Sequence, residues 1–583
     1  MAAVARFRLQ FLLLAAAYLH LAQAEHGSAA AARLLPAGAA SRVFYVDPQG
    51  SDSAAGTSPG SAWKSVSRVN SESLKPGDSV LFKRGGEWRG ESLRGQAGSA
   101  DGGPVTYGAF GDASKARPAF LGSVTAGNPS DWRLATAPAP VGTWVANISA
   151  LHRATYPTDQ TPTLLTDVGN IILGDDKAAA RKTWALSELN AQDQFFYNFT
   201  TGGLPPRFRA ADALYFFSPA GNPAIVHGGL LECALMTADH SVIKNADVSH
   251  VVYDSLAIRY GGADGMYLGN ASHVVVRNLE VSWIGGGCLM AGPRFPRNPR
   301  ECTRFGNGIE FSDWSDGAVT EHNVVEMTRL WEIYDAALSP QGGGKYVAGQ
   351  RMYTQRNLSF HHNIVGHAEY CFEIWSQGNT SACAMQHVRF DNNLCLDSGG
   401  GWSHVARPDP SGRHICSFDN SCDVHNISYR NNIFFQSRPW LGGDGWEAGW
   451  WMSDKWGRFP CAKGTCGWEG LVLADHNLWY VAEPGAGPLV KIGEGSDSLN
   501  FFTQNFSAMT ALTGSGRGAV VGEDPRLRGL SSSGGAKLSA STDVHPLPGS
   551  PVIGAGVAVG WATDFDGKPI PMTGSVDIGP YQS

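Results

Sequence analysis

The sequence predicts an all-β solenoid, a stack of coils that each contribute short strands. Three observations predict it: a ten-residue phrase recurs, asparagine returns to one place within it, and a second set of apolar phrases runs in between. Composition agrees. The 72 glycines and 18 tryptophans in 583 residues suit turn-rich β structure, and 43% hydrophobic against 17% charged residues can fill a large core. The net charge of -7 argues against nucleic acid as a partner, because phosphate neutralisation needs a basic surface.

The phrase reads SHVVYDSLAI from Ser249, SHVVVRNLEV from Ser272, GAVTEHNVVE from Gly317, NLSFHHNIVG from Asn357, HVRFDNNLCL from His387, NISYRNNIFF from Asn426 and LVLADHNLWY from Leu471. Successive starts lie 23, 45, 40, 30, 39 and 45 residues apart. The shortest spacing approximates a bare coil and the longer ones coils that carry loops. In each phrase about four β-prone residues meet a polar turn, and an apolar residue resumes the strand at position eight. Position seven holds Ser255, Asn278, Asn323, Asn363, Asn393, Asn432 and Asn477. Stacking would align these into an asparagine ladder, whose amides bond along the stack and satisfy turn groups that strands cannot reach.

With this ladder the chain resembles the right-handed parallel β-helix proteins of the pectate-lyase-like superfamily. The resemblance extends to VFYVDPQGSDSAAGTSPGSAWKSV from Val43, LKPGDSVLFKRGGEW from Leu74 and PVTYGAFGDASKARPAF from Pro104, and to the closing TDFDGKPIPMTGSVDIGPYQS from Thr563. It implies a single-stranded right-handed parallel β-helix with an N-terminal helical cap, large loop insertions and a C-terminal closing segment. It names a scaffold and a broad class of secreted carbohydrate-active enzymes, not a substrate.

The elements then follow in order. Arg6 and Arg8 precede an apolar stretch over 11–22 that ends in Ala22-Gln23-Ala24, the pattern of a secretory signal cut before Glu25. The expected divisions are a signal peptide over 1–24, a linker over 25–42, and an N-terminal cap with early coils and an insertion over 43–240. The β-helix core follows over 241–480, and C-terminal coils and a cap over 481–583. Ser61 is expected to cap a short helix that ends at Val69 and covers the open first coil. Residues 131–230 fit the coil pattern poorly and read as the insertion. All ten cysteines fall after the cut, which suits disulfides in an exported chain. Cys416 with Cys422, Cys461 with Cys466 and Cys288 with Cys302 are close enough in sequence to staple loops, with connectivity left open. Seven Asn-x-Ser/Thr sequons, at Asn147, Asn198, Asn270, Asn357, Asn379, Asn426 and Asn505, suit a secreted glycoprotein.

The second set of phrases is GMYL from Gly265, GIEF from Gly308, DAAL from Asp335, CFEI from Cys371 and GWSH from Gly401. Strand alternation would turn Met266, Ile309, Ala336, Phe372 and Trp402 inward, and Tyr267, Glu310, Ala337, Glu373 and Ser403 outward, with Asp335 outward one site earlier. With strands about 4.8 Å apart, Glu310 and Glu373 would stand two coils, or roughly 9 to 10 Å, from one another. Carboxyl groups about 6.5 to 9.5 Å apart suit an inverting glycosidase, in which one protonates the leaving oxygen and the other activates water. Glu310, Asp335 and Glu373 are therefore the catalytic candidates, with Asp264 in reserve.

Tyr267, Asp313, Glu332, His367 and His404 are the expected substrate-binding residues beside them. Trp446 and Trp450 join them from a tryptophan-rich loop whose indoles could stack on sugar rings. The same carboxylates could instead solvate the face, or pair with Arg259, Arg304 or Arg329. His361 and His362 fall at the ladder turn and read as structural. No metal site and no required cofactor is expected, although hard carboxylate oxygens are compatible with calcium.

The leading functional reading is a secreted, monomeric glycoside hydrolase that cleaves an extracellular polysaccharide or oligosaccharide, with no membrane association after signal removal. A polysaccharide lyase or uronate epimerase is the alternative. It needs a cation to stabilise enolate-like charge, and Arg259, Arg304, Arg351 and Arg356 could supply one. A non-catalytic glycan-binding or cell-surface β-helix protein is the third.

Overall fold

The computed structural model describes residues 41–155, 167–197, 213–236, 241–291, 302–343, 352–378, 382–406, 412–418, 422–436, 450–452, 472–482, 488–493, 499–501, 505–531 and 537–583. The recurring phrases build one long sheet. Strands Val251–Asp254, Val274–Arg277, Val324–Glu326, Tyr353–His361, Cys383–Asp391, Asp423–Arg430 and Val472–Asp475 follow one another as parallel neighbours. Val43–Val46, Ser79–Lys83 and Val105–Phe110 extend the same sheet toward the N-terminus. Alternation selects the inward side chains, so Val251 and Tyr253 are buried between partly exposed neighbours. A second, mostly parallel sheet carries the intervening phrases, and apolar side chains from both fill the space between them. Along the stack Phe360 lies on Phe390 at 4.8 Å and Phe390 on Tyr429 at 4.9 Å between ring centroids. The chain is a parallel β-helix, as the resemblance implied.

Most spacings carry through. Val251 pairs with Val274, Leu358 with Val388, Val388 with Ile427 and Ile427 with Val472. The middle coil departs from its expected register. Val275 pairs with Val324 and Val324 with Ser359, so Asn323 belongs to an earlier corner, where its Oδ1 accepts the Val274 N–H.

The ladder therefore consists of Thr328, Asn363, Asn393, Asn432 and Asn477. Thr328 N–H donates to Asn363 Oδ1 at 3.1 Å, and each of Asn363, Asn393 and Asn432 donates Nδ2 to the next Oδ1 at 3.1, 2.9 and 3.0 Å. The same Nδ2 groups reach the carbonyls of Val325, Phe360 and Phe390, and Asn477 Nδ2 reaches that of Tyr429. Ser255 and Asn278 sit one residue before the ladder level, in the left-handed turn shared with His362, Asn392, Asn431 and His476. Small polar or asparagine side chains tolerate that backbone, which is why the pattern blurred there.

A short helix runs over Val66–Ser71, and its N-cap is Ser65, whose hydroxyl accepts the Arg68 N–H at 3.0 Å. Ser61 instead ends the preceding 3₁₀ turn. Val66 and Val69 enter the core. Between Ser123 and Met236 the described chain forms small, mostly antiparallel sheets around a core of its own, which includes Val124, Ile171, Phe195, Phe216 and Leu235. At the far end, helix Phe506–Thr513 lays Phe506 and Met509 on the last coil. The chain then turns back along the stack, packing Leu527, Leu538, Val552, Ile578 and Tyr581 against Trp331, Ile364, Leu394, Ile433 and Leu478.

Two disulfides tie coils together rather than stapling loops. Cys371 is bonded to Cys395 and Cys383 to Cys422, whereas Cys416 is a buried free thiol, so the expected Cys416–Cys422 pair does not form. Stacking explains this, because Cys383 and Cys422 lie at the starts of adjacent parallel strands. Cys288 is also disulfide-bonded, and Cys461 and Cys466 lie outside the described residues.

Candidate active site

Five neighbouring strands of the second sheet make the site: β1 (Asp264–Gly269), β2 (Ile309–Asp313), β3 (Arg329–Gly342), β4 (Ile364–Ser376) and β5 (Arg413–Phe418). Met266, Ile309, Leu338, Phe372 and Ile415 form the inward row and are fully buried. One residue on, the outward row reads Tyr267, Glu310, Ser339, Glu373 and Cys416. Glu310 and Glu373 thus share a face, two strand spacings apart, with Ser339 between them.

Two expectations about this row need correction. The DAAL phrase is displaced by two residues, since β3 bulges between Ile333 and Ala336, so Ser339 rather than Ala337 faces the two glutamates. GWSH is not a strand: residues Gly401–Ala406 form a short helix, and β5 supplies the next coil. That helix is pinned from beneath, where the Trp402 N–H donates to Glu332 Oε2 at 2.8 Å and the indole N–H to the Glu332 carbonyl at 3.0 Å.

The bulge carries Asp335, half-buried, while the Asn307 side chain bridges the coils. Asn307 Nδ2 donates to Glu310 Oε2 at 2.9 Å, its Oδ1 accepts the Ala336 N–H at 2.9 Å, and its own N–H donates to Asp264 Oδ1 at 2.8 Å. Asp264 and Glu310 also share a hydrogen bond between their carboxyl groups, which requires a proton. Burial, followed by the charges of Glu310 and Asp335, holds Asp264 well above the usual carboxylate range. Burial raises Glu310 too, although hydrogen bonds from Ser312, Asn307 and Asp264 oppose it. Glu373 is pushed well above its ordinary value by burial and then by Asp335, Glu369 and Glu310. Its Oε2 accepts from Ser339 Oγ at 3.3 Å and from Gln341 Nε2 at 2.8 Å.

Asp264 and Glu369 thus complete a group of five acids with Glu310, Asp335 and Glu373. Glu369 escaped the sequence reading because the phrase was begun at Cys371, whereas β4 starts at Ile364. Asp264 stands one residue ahead of its phrase.

The substrate-binding candidates divide. Tyr267 lies in the row beside Glu310, its hydroxyl donating to the Ser312 carbonyl at 2.9 Å. Asp313 is buried and consumed by turns, accepting from Asn270 N–H, Thr320 Oγ1 and Gln355 Nε2. Glu332 holds the Gly401–Ala406 helix, as described. His367 is buried with Nδ1 3.7 Å from Asp397 and Nε2 accepting the Leu538 N–H, a tie to the closing segment. Each of these three gives its side chain to a corner or strand end where turn backbone needs a partner. The side chain of His404 and the whole of Trp446 lie outside the described residues. Trp450 takes the strand register of Ile415, and Trp451 that of Cys416. Among the described residues no group of three or more His, Cys, Asp and Glu is arranged to hold a metal ion, and no helix is long and apolar enough to cross a membrane.

No protein-family model matches the chain. A curated lacto-N-biosidase of Bifidobacterium longum subsp. longum is 39% identical over 95 residues, a match spanning 15% of this chain and 6% of that protein. Among solved structures, a glycoside hydrolase is 10% identical with a TM-score of 0.45, covering 83% of this chain and 96% of its own. The pectate lyase Pel9A is 10% identical with a TM-score of 0.40, covering 94% and 97%.

Proposed function

We propose that the chain is a glycoside hydrolase that cleaves a neutral glycan laid across β1 to β5, acting outside the cell by inversion. One observation carries this reading: Glu373 and the hydrogen-bonded Asp264–Glu310 pair occupy one face, separated by the small side chain of Ser339. Glu373 holds its proton and is suited to the leaving oxygen, while the Asp264–Glu310 pair lies far enough away to position and deprotonate a water between. Export is in keeping with the N-terminal segment and the disulfides.

Three of the arginines that an elimination could have used are engaged away from the acids, which favours hydrolysis. Arg259 pairs with Glu280 at 3.5 Å, and Arg356 with Glu321 at 2.5 Å on the other sheet. Arg304 donates to the carbonyls of Gly286 and Gly169. Arg351 lies outside the described residues. The leading electrostatic neighbours of Asp264 and Glu373 are carboxylates. Carboxyl groups predominate on this face among the described residues and disfavour uronates, and the cation beside them, Arg413 of β5, is buried and donates to the Tyr370 hydroxyl at 3.2 Å next to Glu369.

The test is to digest a panel of neutral and acidic polysaccharides with the full chain, following reducing ends, ultraviolet absorbance and the anomeric proton signals of the first product. Reducing ends should appear from a neutral glycan without new absorbance, in the anomer opposite to the starting linkage. Absorbance from a new double bond would overturn the hydrolase reading, and a retained anomer would overturn inversion.

A further inference from the structure

The row of Glu310 and Glu373 is followed by a second outward row of Ser312, Gln341 and Trp375. Trp314 stands two residues beyond Ser312, just past the end of β2. Its indole N–H donates to Ser312 Oγ at 2.5 Å, and its ring meets Trp375 edge to face, with centroids 5.4 Å apart at 70°. Its six-membered ring lies against Gly343, where an added Cβ would come within 2.7 Å of Cζ3. Three contacts on three sides thus fix the plane of an indole that is still 46% exposed.

Isolated exposed apolar side chains are common on protein surfaces and need no explanation. Trp314 differs in being held rigidly with its one polar atom satisfied, directly after the strand that carries Glu310. Gln341 joins this row to the acids, since its Nε2 donates to both Ser339 Oγ and Glu373 Oε2. At about 3.3 Å per residue, Trp314 lies roughly 13 Å along the strand from Glu310, more than one sugar ring away.

We propose that Trp314 is the stacking platform of a distal sugar subsite, so that this site prefers oligosaccharides long enough to span from Glu310 to the indole. The inference rests on the hydrolase reading and adds a length preference to it. Fixed aromatic faces take the apolar side of a sugar ring at small entropic cost, because the indole loses little freedom on binding.

The test uses oligosaccharides of two to six residues, prepared by partial acid hydrolysis of the polysaccharide that the full chain depolymerises fastest. The ratio of kcat/KM for the hexamer to that for the dimer is expected to fall about tenfold in Trp314→Ala, as loss of roughly 1.4 kcal/mol of stacking implies. Trp314→Phe, which keeps a flat ring, should recover much of it, whereas a merely structural loss would depress all lengths alike. An unaltered ratio in Trp314→Ala, with Glu310→Gln and Glu373→Gln inactive, would overturn the platform and leave the hydrolase standing. Failure of the full chain to depolymerise any polysaccharide would overturn both.

Discussion

Glu373→Gln is expected to lower kcat by about 10²- to 10⁴-fold, the contribution of a positioned acid or base, while making the fold more stable. The amide matches the carboxyl in volume, and its oxygen can still accept from Ser339 Oγ and Gln341 Nε2. It also relieves the crowding of a buried carboxyl beside Asp335, Glu369 and Glu310, an instance of stability given up for function. The pH dependence has a definite sign. Because the folded value of Glu373 is raised, the folded chain keeps this proton at pH values where the unfolded chain has lost it. The resulting stability is fully present below the ordinary glutamate value of about 4.3 and disappears as pH rises through the folded value. The Tm of the wild-type chain should therefore fall as pH is raised above that point, and fall less in Glu373→Gln. Calorimetry across pH checks the second part and initial-rate measurements the first.

The second large effect lies in the ladder. Asn393 is fully buried. Its Oδ1 accepts the Asn363 N–H at 2.9 Å and its Nδ2 donates to the Phe360 carbonyl at 3.0 Å. Asn393→Ala would leave both backbone groups without those partners, away from water. At about 1 to 3 kcal/mol for each such group, the loss is roughly 2 to 6 kcal/mol. Asn278→Gly removes only a bond to Asp254 at a partly exposed turn, glycine tolerating the left-handed backbone there, and should cost under about 1 kcal/mol. Denaturant unfolding of the two variants, measured against wild type, separates these values. Similar small losses in both would mean that the ladder does not hold the coils together.

The repeat was legible because every coil meets the same two demands: strand alternation and a polar group at one turn. Four of six phrase spacings survive as observed strand registers, and the asparagines from Asn363 to Asn477 align as read. The reading failed where a different side chain meets the same demand. Thr328 supplies the ladder donor on the middle coil, so a search for asparagine moved to Asn323. Parity was enough to turn Glu310 and Glu373 outward, but not to see that the β3 bulge slides Ser339 between them. Glu332, Asp313 and His367 show the limit more sharply. Each is a polar residue near the right strands, and only the fold reveals that backbone N–H groups already claim it.

The central claim is that Glu373 and the Asp264–Glu310 pair act on one substrate from opposite sides of a single glycosidic bond. The most direct test is a crystal structure of Glu373→Gln soaked with the oligosaccharide that the wild-type chain cleaves. The claim predicts a glycosidic oxygen within hydrogen-bond reach of residue 373, and a water held by the Asp264–Glu310 pair on the far side of the sugar ring. A sugar bound against another part of the molecule, with β1 to β5 empty, would contradict it.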